Sequence, residues 1–180
     1  MHGIIFDELR SFAESAVGEG GWEKILEKAG LQGKEYQGIQ AYPDEEAVKI
    51  VGAACEVTGL SAPDVLRAFG KFVAKDLMGI AAPLLQDGWT SLDVIEHTEE
   101  TVHSVVRLDN PGAEPPKLQV TRDSDSQVTL VYSSERKMCD IAKGIAEGLG
   151  EHFGETISVS EDGCMNDGAG QCKIIISKEN

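Results

Sequence analysis

Long apolar runs are what this 180-residue chain most plainly lacks. None approaches the ~20 residues that a helix needs to cross a bilayer, so no membrane span is expected. Basic residues are also scarce: 16 Lys and Arg stand against 31 Asp and Glu, for a formal net charge of −15. Nucleic-acid phosphates and anionic lipid surfaces both call for a cationic partner, so neither nucleic acid nor membrane is expected to bind. A protein with a basic face is not excluded. The opening residues, from Met1 to Glu8, carry no basic stretch and turn acidic too early for a secretory signal, so the expected compartment is the cytoplasm. In that reducing setting the four cysteines Cys55, Cys139, Cys164 and Cys172 point to a metal site or free thiols ahead of a disulfide framework.

Catalytic signatures are missing as well. There is no Gly-x-Ser-x-Gly elbow, no Gly-x-x-x-x-Gly-Lys-Ser/Thr loop and no His-Glu-x-x-His. Nothing sets cysteine and histidine in nucleophile–base order, and no enzyme is expected. Internal repeats and low-complexity linkers are absent, and 20 glycines with 6 prolines are ordinary for a globular chain. What is present is 41% hydrophobic residues, ample for a sizeable core in a single domain over 1–180.

Periodicity organises that content. Ile5, Leu9, Phe12, Ala13 and Ala16 recur at helical spacing until the glycines at Gly18–Gly21. Trp22, Ile25, Leu26 and Ala29 make a short helix stopped by Gly30, and a third opens at Pro43 with Ala47, Ile50, Val51 and Ala54 on one face. Ser61-Ala62-Pro63-Asp64 caps a fourth helix whose buried stripe is Val65, Leu66, Phe69, Phe72 or Val73, and Leu77. A second capping box, Thr90 to Asp93, starts a long helix expected to run to about Leu108. After Asn110-Pro111-Gly112 the period changes to two. Lys117–Arg122 and Gln127–Ser133 read as strands, Met138 to Leu149 as a helix ended by Gly148–Gly150, and Thr156–Ser160 with Lys173–Ser177 as a closing strand pair. The fold class is α+β: a helical N-terminal lobe (about 1–60) packed on a lobe (about 61–180) with helices and a small, about four-stranded antiparallel sheet.

Three features carry chemistry. His103 lies six residues from His97, which at 3.6 residues per turn puts the two on separate faces, so they form no two-histidine site. Acting alone, His103 is either an ordinary half-buried histidine or a single axial ligand to something planar. At the end of the second strand, Tyr132, Ser134 and Arg136 stand at i, i+2 and i+4. Extended chain would point all three the same way at ~6.8 Å intervals, as donors suited to carboxylates. The alternative is a polar solvent face. Pro115-Pro116 stiffens the connection after the helix with His103.

Together with the Met-His-Gly-Ile-Ile-Phe start, Ala68-Phe69-Gly70 and Val102-His103, these residues resemble the haem-nitric oxide/oxygen-binding (H-NOX) domains, bacterial relatives of the haem domain of soluble guanylate cyclase. The resemblance covers essentially the whole chain in order. It implies a haem b between the lobes, with His103 as the axial iron ligand and Tyr132, Ser134 and Arg136 on the propionates. Pro115 and Pro116 would pack on the macrocycle. A distal pocket would be built from Ile5, Leu9, Val73 or Leu77, Ile141 and Ile145. The family position of an oxygen-stabilising tyrosine is Ile141 here, which implies binding of nitric oxide and carbon monoxide but not oxygen. Nitric oxide would act by releasing His103, and the output would pass in trans to a histidine kinase or a cyclic-di-GMP enzyme.

The resemblance also bears on the cysteines. Some members hold zinc with three cysteines at the places of Cys139, Cys164 and Cys172, and with a histidine where this chain has Glu161. Glu161 is then the candidate fourth ligand, because ~20 Å of helix separates His152 from Cys139. Free thiols are the alternative, and a zinc-thiolate redox module with little haem function is the rival reading of the whole chain.

Overall fold

The structure, a computed structural model, describes residues 1–109 and 113–179. Asn110, Pro111 and Gly112, where the sequence changes period, lie outside the described residues. Four helices come first: α1 (Gly3–Val17), α2 (Gly21–Lys28), α3 (Asp44–Thr58) and α4 (Ala62–Ala81). Their ends follow local chemistry. Gly59 closes α3 in the left-handed region (φ 76°), and Ser61 Oγ accepts the Asp64 N–H at the start of α4. Then come α5 (Ser91–His97), α6 (Val102–Asp109), β1 (Lys117–Ser124), β2 (Gln127–Ser133), α7 (Cys139–Phe153), β3 (Ile157–Glu161) and β4 (Cys172–Lys178). The sheet is antiparallel throughout, in the order β1-β2-β4-β3.

Two apolar clusters form the core. The first gathers Phe6, Leu9, Trp22, Ile25, Ile50, Val65 and Phe69 from the four N-terminal helices, together with Met138. The second joins α5 and α7 to the inner face of the sheet, with Leu92, Ile95, Val128, Leu130, Leu149, Ile174 and Ile176. Helix α4 serves both clusters, contributing Val65 to the first and Met78 to the second. Its 20 residues, ~30 Å at 1.5 Å per residue, are long enough to do so.

Helices α4 and α7 approach each other more closely than side chains allow. A Cβ on Gly144 would lie 2.0 Å from the Arg67 carbonyl oxygen, and one on Gly70 would lie 2.2 Å from that of Ile141. Gly148 meets the Ala74 methyl in the same way, at 2.5 Å. The expected stop at Gly148–Gly150 is therefore corrected. These glycines lie inside α7 because backbone must fit there, and the helix runs on to a left-handed Gly154. Arg67 with Glu147, and Lys71 with Glu151, tie the same pair at its edges.

The long helix expected from Thr90 to Leu108 is in fact two helices. Its start is as expected, with the Thr90 N–H donating to Asp93 Oδ2 at 2.8 Å. Between α5 and α6, Thr98 and Thr101 turn their hydroxyls back to the Val94 and His97 carbonyls, both at 2.7 Å. The His103 N–H reaches the Thr98 carbonyl five residues back, at 3.0 Å, instead of four. Threonines bonding into the preceding turn loosen a helix in this manner. No helix among the described residues is long and apolar enough to cross a membrane.

Candidate functional site: a histidine helix, an arginine turn and a cysteine cluster

His103 sits in the first turn of α6 with 13% of its side chain exposed. Its Nδ1 lies 2.9 Å from Glu99 Oε2, and the other Glu99 oxygen takes Arg107 Nη2 at 2.8 Å. Burial pushes the imidazole below the ordinary histidine range, and the Glu99 contact only partly opposes this. The ring is thus neutral at pH 7, carrying its proton on the nitrogen that faces the carboxylate. Nε2 is left as the lone-pair nitrogen, which is the form a metal takes. Among the described residues α6 makes only sparse backbone contact with other elements. Its Val102 and Val105 are half-buried and Leu108 is 78% exposed.

The reading of Tyr132, Ser134 and Arg136 as one extended face needs correcting. Strand β2 ends at Ser133, and Lys137 N–H closes a turn onto the Ser134 carbonyl at 3.1 Å. Tyr132 is buried in the sheet face, opposite Leu118 on β1 and Cys172 on β4. Arg136 leaves the turn towards the N-terminal helices. Its Nε donates to Asp44 Oδ2 at 2.8 Å, its Nη1 to the Glu114 carbonyl at 2.7 Å, and the Met1 amine takes the other Asp44 oxygen at 2.6 Å. Burial raises the Asp44 carboxyl, but the hydrogen bonds from the chain amine and Arg136 outweigh it and hold the group below the usual carboxylate range. The guanidinium is thus already a carboxylate holder, though the carboxylate belongs to the chain.

The apolar residues named from the sequence divide. Ile5, Leu9 and Ile141 line a cavity of about 10 Å³ together with Met1, Ala47, Val51, Leu66, Phe69 and Met138. That is water-sized space with no polar side chain around it. Val73 is buried nearby in the first cluster, while Leu77 and Ile145 pack against that cluster without lining the cavity. Ile5, Phe12, Phe72, Leu77, Ile141 and Ile145 are only half-buried, although their periodicity marks them for a core. Pro115 and Pro116, on the approach to β1, are half-buried too.

The third assembly is the cysteine trio. Cys139 opens α7, Cys172 opens β4, and Cys164 lies in the loop between β3 and β4. The Cys139–Cys164 and Cys164–Cys172 sulfurs are 3.6 and 3.5 Å apart, with Glu161 Oε1 4.0 Å from Cys139 Sγ. All four ligand atoms fall within 4.8 Å of one another. Tetrahedral zinc with Zn–S bonds of ~2.3 Å sets sulfurs about 3.8 Å apart, so the trio is close to that geometry. Burial raises the Cys139 and Cys164 thiols, which a bound cation would reverse. Cys55 stands apart, half-buried against the first cluster.

A family model described as haem-NO-binding matches residues 2–161. The chain belongs to this family. H-NOX domains are haem-binding gas-sensor domains, and the fold agrees along the full length. An H-NOX protein from Shewanella oneidensis in the Fe(II)NO state superposes with a TM-score of 0.90 at 27% identity, covering 100% of both chains. The S. oneidensis H-NOX domain in the Fe(II)CO state gives 0.87 at 27%, covering 100% of this chain and 99% of that one. The soluble guanylate cyclase gcy-35 of Caenorhabditis elegans is 24% identical over 166 residues, which are 87% of this chain and 23% of the cyclase. The chain thus spans about a quarter of that relative's length. A sensor domain of this kind is not itself catalytic.

Within this H-NOX chain, sequence reasoning missed Met1, Ala47, Val51 and Met138 around the cavity. Ala47 and Val51 had only the signal of lying on the buried face of α3, and Met1 and Met138 lie just outside the helices they precede. It also missed Asp44 and Glu99, the carboxylates that hold Arg136 and His103. Glu99 was visible as the residue four before a histidine on a helix.

Proposed function

We propose that this chain is a cytoplasmic haem-based sensor of nitric oxide that regulates a signalling protein in trans. The observation that carries the reading is His103: an imidazole whose Nδ1 meets Glu99, leaving Nε2 to ligate, on a helix that among the described residues makes only sparse backbone contact with other elements. His103 would hold the iron of a haem b, and Arg136 would exchange the Asp44 carboxylate for a propionate, with Tyr132 and Ser134 beside it. Pro115 and Pro116 would pack on the ring. The half-buried set Ile5, Leu77, Ile141 and Ile145 supports the same reading, because another apolar body would complete its burial.

Ferrous haem supplies an open coordination position for a diatomic gas. Around the cavity at Ile5 and Ile141 no side chain can donate to bound oxygen, so nitric oxide and carbon monoxide are the ligands expected. Signalling would follow from release of His103. With that tie gone, α6 has little backbone contact to hold it, and its movement is what a histidine kinase or cyclic-di-GMP enzyme would read. The cysteine trio with Glu161 would hold a structural zinc.

Optical spectra of the reduced, haem-loaded protein test the proposal, taken without oxygen, then with nitric oxide, and then on a fresh sample with air. The expected result is five-coordinate ferrous haem that shifts with nitric oxide and not with oxygen. A stable oxygen complex would refute the selectivity. Failure to take up stoichiometric haem would refute the sensor, and the four-ligand cysteine cluster would then favour a zinc-thiolate redox module.

A further inference from the structure

Glu99 belongs to the break between α5 and α6, where Thr98 and Thr101 bond back into α5 and the ladder skips one residue at His103. The carboxylate does not hang free there. Arg107, one turn beyond His103, takes Oε1 at 2.8 Å, so that Oε2 is left on the imidazole Nδ1 at 2.9 Å. Arg107, Glu99 and His103 thus form a chain of charge-assisted contacts in which each member limits the rotation of the next. Glu99 is 33% exposed and His103 13%, so solvent screens this contact only in part.

Resting on the haem reading above, we infer that Glu99 is a positioning residue for His103 and sets how readily that histidine is released. Two effects follow from the hydrogen bond. It fixes the tautomer with hydrogen on Nδ1, so that Nε2 always presents its lone pair. It also places negative charge against the ring, which makes the imidazole a stronger donor than a backbone carbonyl or water at Nδ1 would make it. A stronger donor is harder to displace from the opposite side of a metal. Glu99 therefore works against release of His103, and its loss would lower the threshold for the signal.

The test uses the full haem-loaded chain as wild type, Glu99→Gln and Glu99→Ala. Glutamine keeps an acceptor oxygen without the charge, and alanine removes both. Resonance Raman spectra of the unliganded ferrous proteins should show the iron–histidine stretching band falling from wild type to E99Q to E99A. Haem transfer to an excess of apomyoglobin should be about tenfold faster from E99A than from wild type, the usual scale for losing an outer hydrogen bond to a metal ligand. In the diamagnetic carbonyl complexes, the His103 Nδ1 proton should be protected from exchange in wild type and exposed in E99A. If E99A does not fold, E99Q carries the comparison alone. Coincident stretching bands in haem-loaded wild type and variants would overturn this role and leave the sensor reading standing. A wild type that takes up no haem would overturn both.

Discussion

Gly144→Ala is the substitution that most directly tests how α4 and α7 are packed. Its Cβ would stand 2.0 Å from the Arg67 carbonyl oxygen and 2.9 Å from the Lys71 nitrogen, both backbone atoms that no rotamer change can move. Real Cβ contacts essentially never fall under 3.0 Å, so α4 and α7 must part by at least 1.0 Å (3.0 − 2.0) at this point. Overpacking of this kind costs ~1–3 kcal/mol. The upper end applies here, because opening the crossing also loosens Gly70 on Ile141 and Gly148 on Ala74. Alanine returns ~1 kcal/mol of helix propensity, leaving a net loss of about 2 kcal/mol. For a chain of this size that is a fall of ~4–8 °C in Tm.

The control is Gly52→Ala on α3, where a Cβ meets nothing within 4 Å and the propensity gain should appear undiminished as a small rise in Tm. Thermal unfolding followed by circular dichroism on both variants gives the comparison. If G144A melts at or above G52A, the close approach of α4 and α7 does not exist and the account of their crossing is wrong. If it holds, G144A also shifts the wall at Ile141, and the carbonyl stretching frequency of the haem-loaded protein should move with it.

Asp44 gives a pH-dependent prediction. Its carboxyl is held below the unfolded value of ~3.9, so the stability it contributes is present at neutral pH and is lost as pH falls from about 4 through the folded value. Asp44→Asn should therefore lower the unfolding free energy of the haem-free protein, read from urea titration at pH 7, by under ~1 kcal/mol, since the side chain is 41% exposed, and the two stability curves should converge in acid. Parallel curves down to pH 3 would remove Asp44 from the account. Cys172→Ser should abolish stoichiometric zinc while Cys55→Ser keeps it, read by elemental analysis of purified protein. Equal zinc in the two variants would refute the cluster.

Most elements were legible in the sequence because their signals are local. The caps at Ser61 and Thr90, the alternation of Val128, Leu130 and Tyr132, and the stops at Gly18 and Gly30 all act within a turn or two. What was missed depends on partners far away in the chain. Gly148 and Gly150 look like a helix stop until α4 and Ile157 are seen against them. The break at Thr98–Thr101 is hidden because threonine back-bonding differs little in pattern from an unbroken amphipathic helix. Ser134 and Arg136 were given a shared face by assuming that β2 continues, whereas the chain turns at Ser134 and sends the guanidinium to Asp44, ninety-two residues away. Phe6 was passed over for Ile5 on α1. Leu9 and Ala13 of the expected stripe are buried with Phe6, whereas Ile5 and Phe12 fall at its margin and Ala16 is exposed.

That margin shows which parts of the molecule are stiff. Helices α4 and α7 touch backbone to backbone, and Ile145 on α7 packs against both apolar clusters. The cysteine cluster is built onto the same frame, since Cys139 begins α7 and Cys172 faces Tyr132 across the β2–β4 pair. Two attachments lack that depth. One is the tie of Met1, Asp44 and Arg136 between the chain start and the turn after β2, a set of partly exposed charges. The other is α6, whose Glu99–His103 and Glu99–Arg107 contacts are local to the helix and its lead-in and whose Val102 and Val105 are only half-buried. Partly exposed ion pairs each stabilise by ~1 kcal/mol or less, against the several kcal/mol of a packed helix pair. A change at His103 or Arg136 therefore meets little resistance at those two places and much more at the α4–α7 crossing. Motion in this molecule should be concentrated in α6 and in the N-terminal attachment, with the sheet and cysteine cluster serving as the fixed reference.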